Sequence, residues 1–170
     1  MMNQPSHVTF NNPRSVLLLF PASEVMDSLA RALAERLKEL GLHSYQLNDE
    51  AVCYGLCSDL GRSQQDRREY IRRVGHLTKH LIEAGVIVLS TIELSARSER
   101  QSLCDALNLS GILEIEHVEG EELPHRLTQS HTAPTGLDAP TAKLILSDHD
   151  NMTQMVEYCL NELKAREILL

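Results

Sequence analysis

Hydrophobic positions along this chain come in two kinds of pattern that alternate. Short continuous runs at Ser15–Phe20 and Val86–Ser90 carry little or no polar interruption, and His43–Leu47 between them reads as a second short strand. Runs of that kind suit strands buried on both faces of a parallel sheet. Between them, apolar residues recur every three or four positions. Leu29, Leu33, Leu37 and Leu40 mark one helix, which ends at Gly41, a good residue just past a helix C-terminus. From Ser63 onward, Ile71, Val74, Thr78, Leu81 and Ile82 make one apolar face of a longer helix that Gly85 stops. The same reading predicts a helix over Ser98–Leu107, a strand at Ile112–His117 and a last short strand at Lys143–Leu146. Met152–Ala165 closes the chain as an amphipathic helix with Met155, Val156, Cys159, Leu160 and Leu163 inward. Strands alternating with helices of this length imply an α/β fold, with right-handed crossovers and helices on both faces of a parallel sheet.

Two stretches break the pattern. Residues 1–14 read as a polar, mobile tail, which leaves 15–170 as one domain. Residues 119–142 hold Pro124, Pro134 and Pro140 with little periodicity, as functional or mobile segments do. Composition narrows the classes further. Aromatic residues are 4% of the chain, so the core is expected to be aliphatic. A net charge of −8 argues against nonspecific nucleic-acid binding, which depends on neutralising phosphates. The opening residues carry no apolar signal segment, and Val16–Phe20 is too short to span a bilayer. The four cysteines, at 53, 57, 104 and 159, form no Cys-x-x-Cys pair. They read as reduced, small apolar fillers in a cytoplasmic protein.

Candidate chemistry is sparse on residue type alone. His76 and His80 stand one helical turn apart, but opposite the apolar stripe and without a third ligand at a matching spacing, so they read as surface residues. Arg67, Arg68, Arg72 and Arg73 form a basic cluster whose preferred reading is pairing with Asp66, Glu69 and neighbouring acids. The alternative reading is an anion site.

The stretch Val52–Arg100 carries more information. Its pieces Gly55-Leu-Cys-Ser-Asp-Leu-Gly61, Asp66-Arg67, Glu69, Ile71-Arg72-Arg73-Val74-Gly75 and Ala84-Gly85-Val86-Ile87-Val88-Leu89 resemble the middle of the adenylylsulfate kinases. The resemblance implies a P-loop NTPase-like three-layer fold around a five-stranded parallel sheet. It also implies phosphoryl transfer from ATP with Mg²⁺, where backbone N–H groups cradle the phosphates and a lysine reaches them. The family's cradle, Gly-Leu-Ser-Gly-Ser-Gly-Lys-Ser-Thr, aligns here with Phe20-Pro-Ala-Ser-Glu-Val-Met-Asp-Ser28. The glycines become Phe20, Ser23 and Val25, the lysine becomes Met26, and the Mg²⁺-binding serine becomes Asp27. Pro21 lacks an N–H, and Glu24 and Asp27 put negative charge where phosphates would sit. Ser28 closes the segment.

The substrate side departs from the family as well. The acid serving the family as base falls on Glu50, and the substrate-binding arginine on Cys53. The stacking phenylalanine falls on Arg62, and the asparagine that follows the next arginine falls on Tyr70. Arg67 and Arg97 are kept, and Leu94-Ser95 replaces a serine-proline turn. Thr135-Gly136-Leu137-Asp138 resembles the end of the family's lid, whose basic part is replaced by a segment with Arg126 as its cation. These substitutions predict a noncatalytic adenylylsulfate kinase-like domain, with a regulatory, nucleotide-sensing or scaffolding role linked to sulfate activation. No cofactor is expected; ATP and Mg²⁺ belong to the alternative reading of an active kinase with an atypical site. A third reading is a remnant that only dimerises. Expected partners are a second copy of the chain, an adenine nucleotide or sulfonucleotide effector, or a protein, but neither nucleic acid nor membrane. Finally, Ser23 or Asp27 is expected to cap the first helix from within, with protein filling the vacated phosphate space.

Overall fold

Leu17–Leu19, wholly apolar and flanked by Val16 and Phe20, can only sit where neither face meets water, and it forms the innermost strand, β1. A computed structural model of the chain describes residues 16–107, 112–118, 127–129 and 142–169. In order after β1 come α1 (Glu24–Glu39), β2 (Ser44–Asn48), α2 (Asp49–Tyr54), α3 (Gln64–Glu83) and β3 (Ile87–Thr91). Then follow α4 (Arg97–Leu107), β4 (Ile112–Val118), β5 (Leu127–Gln129), β6 (Ala142–Ser147) and α5 (Met152–Ala165). The sheet order is β2-β3-β1-β4-β6-β5. Five strands are parallel, as the alternation predicts, and Leu18 lies beside Leu89 on one side and Leu113 on the other. The short β5 adds an antiparallel edge strand, with Leu127 opposite Leu144. It lies inside the segment that the sequence reading treats as irregular. The rest of residues 119–142, with the lid-like positions and Arg126, lies largely outside the described residues, as does the N-terminal tail.

Successive side chains of a strand point to opposite faces, so each strand feeds two cores. Leu18, Leu89 and Leu113 join Met26, Leu29, Leu33 and Leu37 of α1 and Val156, Cys159 and Leu163 of α5 on one face. Leu17, Val88 and Ile112 join Val74 and Ile82 of α3 and Leu103 and Leu107 of α4 on the other. Both cores are almost wholly aliphatic.

The helix ends follow their local chemistry. Ser63 and Asp66 form a reciprocal capping box at the start of α3, and Asn151 and Gln154 do the same for α5. Gly41 and Gly85, at φ of 76° and 82°, take the left-handed conformation that lets the chain leave α1 and α3 abruptly. Gly75 matters for packing instead. A Cβ there would stand 2.8 Å from the Ala106 Cβ, so its absence sets how closely α3 and α4 approach. The α2 helix has no counterpart in the sequence reading. Asn48 caps it, its side chain accepting from the Ala51 N–H at 2.8 Å, and only Val52 is buried.

The chain runs from β1 toward β2 on one side, and from β3 through α4 to β4 on the other. The carboxyl ends of β1, β3 and β4 therefore flank a topological switch point, where open α/β sheets bind ligands.

Candidate functional site

At that switch point the chain leaves β1 through the segment aligned with a phosphate cradle. The Phe20 N–H donates to the Ser90 carbonyl at 2.8 Å, and Pro21, Ala22 and Ser23 form an exposed turn. Ser23 is the N-cap of α1, with φ −161° and ψ 159°. Its hydroxyl accepts from the Met26 N–H at 3.2 Å, and its carbonyl accepts from the Asp27 N–H at 2.9 Å. Of the two residues expected to cap the helix, Ser23 does so. The Asp27 carboxylate instead accepts from the Thr91 hydroxyl, and the Asp27 carbonyl accepts from Gln46 Nε2 at 3.2 Å. Asp27 thus ties the first turn of α1 to β2 and β3.

The remaining positions of the segment divide by exposure. Met26, aligned with the lysine, is 0% exposed and packs in the α1–α5 core. Glu24, Val25 and Ser28 are exposed, Val25 at 46%. The segment carries no cationic side chain, and Glu24 and Asp27 put two carboxylates in the first turn of α1. No hydroxyl stands at the aligned Mg²⁺-binding position, where Asp27 accepts from the Thr91 hydroxyl. These residues do not fit ATP–Mg²⁺.

The expected filling of the phosphate space is only half met. Met26 occupies the core, but a cavity of about 520 Å³ remains beside Pro21 and Ala22 at the ends of β1 and β4. Leu19, Ile92 and Ile115 give it apolar walls. Its charged lining among the described residues is Glu93, Glu114 and Glu116 against Arg100, with His117 nearby. Glu114 and Glu116 each have a partner.

The substrate-side residues are engaged with one another. Arg67 donates through Nε to Glu99 at 2.7 Å, through its terminal nitrogen to Glu99 at 3.2 Å, and to the Glu93 carbonyl. Its guanidinium lies 5.0 Å from the centre of the Tyr70 ring. Tyr70 in turn donates to Asp49, which also accepts from the Glu93 N–H at 3.4 Å. Burial and the Asp49 bond push the Tyr70 hydroxyl far above its usual range, while Arg67 holds the Glu99 carboxyl below its own. A protein carboxylate thus occupies the Arg67 guanidinium.

The other aligned positions stay outside this network. Glu50 is exposed on α2, and its neighbour Asp49 makes the contacts. Arg62 and Arg97 are exposed, without an ion pair among the described residues. They line neither the strand-end cavity nor the groove between α3 and α4. Asp49 and Glu99 were invisible to sequence reading because their partners are 21 and 32 positions away.

The arginine cluster pairs, though not entirely as expected. Arg72 and Arg73 both bind Glu69, and Arg73 also binds Asp59. These two arginines hold Glu69 down to about 2. Asp66 takes no arginine, because it is committed to the Ser63 cap. Arg68 has no ion pair among the described residues. Between α3 and α4 lies a second cavity of about 520 Å³, lined by Arg67, Arg68 and Arg72 on one wall.

His76 and His80 are exposed, and no group of metal-ligating side chains forms among the described residues. Cys57 and Cys159 are buried as expected, but Cys53 is exposed and fills no core. No helix among the described residues is long and apolar enough to cross a membrane.

Residues 16–123 match the family model described as adenylylsulphate kinase. An adenylyl-sulfate kinase of Vibrio parahaemolyticus is 40% identical over 159 residues, covering 84% of this chain and 77% of the relative. One from Vibrio cholerae is also 40% identical, over 116 residues, with 67% of this chain and 54% of the relative covered. Among solved structures, Mycobacterium tuberculosis APS kinase CysC in complex with AMPPNP and APS superposes with a TM-score of 0.67 at 20% identity. That match covers 89% of this chain and 99% of the other. A hexameric APS kinase from Thiobacillus denitrificans gives a TM-score of 0.66 at 22% identity, covering 94% of this chain and 31% of its own. At those identities the structural likeness speaks for the fold.

Proposed function

Because this chain belongs to the adenylylsulfate kinase family, we propose that it is a noncatalytic member with a regulatory, nucleotide-sensing or scaffolding role linked to sulfate activation. One observation carries the reading: Met26, at the position of the phosphate-binding lysine, is wholly buried and belongs to the core. A lysine there acts by reaching the β- and γ-phosphates. A core methionine can neither reach them nor be replaced without disturbing the core. The Ser23 cap and the Arg67–Glu99 pair support the same reading, since each satisfies within the protein a group that a ligand would otherwise meet. Glu50 and Arg97 stand free of that network, as vestiges of the family's base and substrate arginine.

The kinase names of the 40%-identical relatives favour a second reading, an active adenylylsulfate kinase with an atypical site. A coupled ADP-release assay with ATP–Mg²⁺ and adenylylsulfate separates the two. The expected result is no turnover above background. Turnover that disappears in Glu50→Ala would overturn the proposal and establish the second reading.

A further inference from the structure

The sheet ends on one side at β2, and among the described residues the outer edge of that strand has no neighbour. The Ile87 N–H donates to the His43 carbonyl at 2.9 Å, and the two strands then run in unbroken register from Ser44 beside Ile87 to Asn48 beside Thr91. Backbone groups of successive residues alternate between the two sides of a strand. Tyr45 and Leu47, in phase with His43, therefore serve β3, and Ser44 and Gln46 turn their N–H and C=O groups outward. No backbone partner for those groups is present among the described residues. Such an edge is a template for another strand, and proteins ordinarily blunt it with charge, proline or a bulge. Ser-Tyr-Gln-Leu-Asn has none of these, and Tyr45 stands in its middle, 50% exposed. We propose that β2 pairs antiparallel with β2 of a second copy of this chain, joining two sheets into one across a two-fold axis at Tyr45.

The register follows from the hydrogen-bonding phase. Only residues that both face outward exchange bonds, which pairs Ser44 of each copy with Gln46 of the other in four N–H···O=C bonds. Tyr45 then faces Tyr45 of the other copy as a close pair without mutual backbone bonds, Cα atoms about 4.5 Å apart. Aromatic residues placed opposite one another on one face are among the favourable cross-strand pairs. A register centred on Gln46 would instead need the carbonyl of Asn48, which as N-cap of α2 is already taken by the helix. Charge favours a copy of the same chain as the occupant. Lys38 and His43 precede the strand and Asp49 and Glu50 follow it, so antiparallel pairing sets the basic end of each copy beside the acidic end of the other. The neutral strand also spares the contact the repulsion expected between two chains of net charge −8. The pairing holds whether or not the chain turns over substrate.

The test is sedimentation velocity of the full chain over a concentration series, with amide hydrogen exchange at Ser44 and Gln46 read in parallel. A short edge buries less than an obligate interface, so a dissociation constant of roughly 1–100 µM is expected. Ser44→Pro removes an outward N–H and leaves the bonds from β2 to β3 in place. It should fold and weaken the dimer at least about ten-fold, the scale of two symmetry-related hydrogen bonds lost. Tyr45→Lys, which sets two ammonium groups face to face at the axis, should do the same and decides if Ser44→Pro does not fold. Asn161→Lys, exposed on α5, should change nothing. In the parent, the Ser44 and Gln46 amides should gain protection as the dimer forms, and this readout decides if neither variant folds. A parent that stays monomeric at about 100 µM overturns the proposal, even with those amides protected, since a segment of the same chain would then cover the edge. A dimer that survives both β2 substitutions also overturns it and places the interface on another face.

Discussion

Restoring the lysine at position 26 is the perturbation that most directly separates a core residue from a phosphate-binding one. Met26 is 0% exposed, among Leu29, Leu33 and the β1 and β3 leucines. Lysine is close to methionine in length, so the steric change is small and the charge dominates. A fully buried lysine titrates near 5–6, against about 10.4 in the unfolded chain. Taking about 6 for the folded state, the penalty at pH 7 is about 1.36 × (10.4 − 7), or roughly 4–5 kcal/mol. That is a large share of the 5–15 kcal/mol typical of a domain, so Met26→Lys should be severely destabilised at neutral pH. The sign follows from proton counting: the unfolded lysine binds a proton that the folded one releases, so stability rises with pH. The slope is about 1.4 kcal/mol per unit, and the penalty shrinks to about 2 kcal/mol by pH 9. Urea denaturation at a series of pH values, compared with the parent protein, measures this directly. A variant within about 1 kcal/mol of the parent, with no added pH slope, would mean that the side chain reaches water toward the cradle. Position 26 would then not belong to the core.

Three other outcomes follow from the geometry. Gly75→Ala should destabilise the protein, because overpacking at the 2.8 Å approach to Ala106 costs about 1–3 kcal/mol against a helix-propensity gain of about 1; adding Ala106→Gly should restore the melting temperature, and no rescue would refute the contact. Glu99, held low by Arg67, contributes stability above its unfolded value near 4.3 and loses it as pH falls through the lower folded value. Glu99→Gln should therefore flatten the acid limb of the stability profile, and an unchanged limb would show that the pair is absent in solution. Under thiol labelling Cys53 should react first and Cys159 last, because burial pushes Cys104 up to about 11 and Cys159 up to about 12; mass spectrometry finding Cys159 labelled before Cys53 would contradict the packing of α5.

The elements that sequence reading located share strong local signals. The ends of α3 and α5 follow from Ser63 with Asp66 and Asn151 with Gln154, and Gly41 and Gly85 close α1 and α3. β1 lies within an unbroken apolar run, and β3 begins in one, Val86–Leu89. In contrast, α2 spans six residues and buries only Val52, too little for a 3.6-residue period to register. The three residues of β5 gain their strand identity from β6 rather than from their own composition. At the candidate site, the residue types of the segment Phe20–Ser28 were legible, and with them the Ser23 cap. Their new partners were not: Asp27 meets Thr91 across 64 positions, and Arg67 meets Glu99 across 32. Contacts at that separation depend on the finished topology, which local pattern does not encode.

The attachment of Asp27 to both Thr91 and Gln46 has a consequence for motion. A helix end ordinarily frays, because its first turn is held only from one side. Here that turn is stitched to two neighbouring strands, so it opens only when β2 and β3 also loosen. Amides of Met26 and Asp27 should then exchange with solvent at rates close to those of the central strands, as part of one cooperative unit. The first turn of α1 is in this sense a clasp that holds the sheet's edge strand to its neighbour.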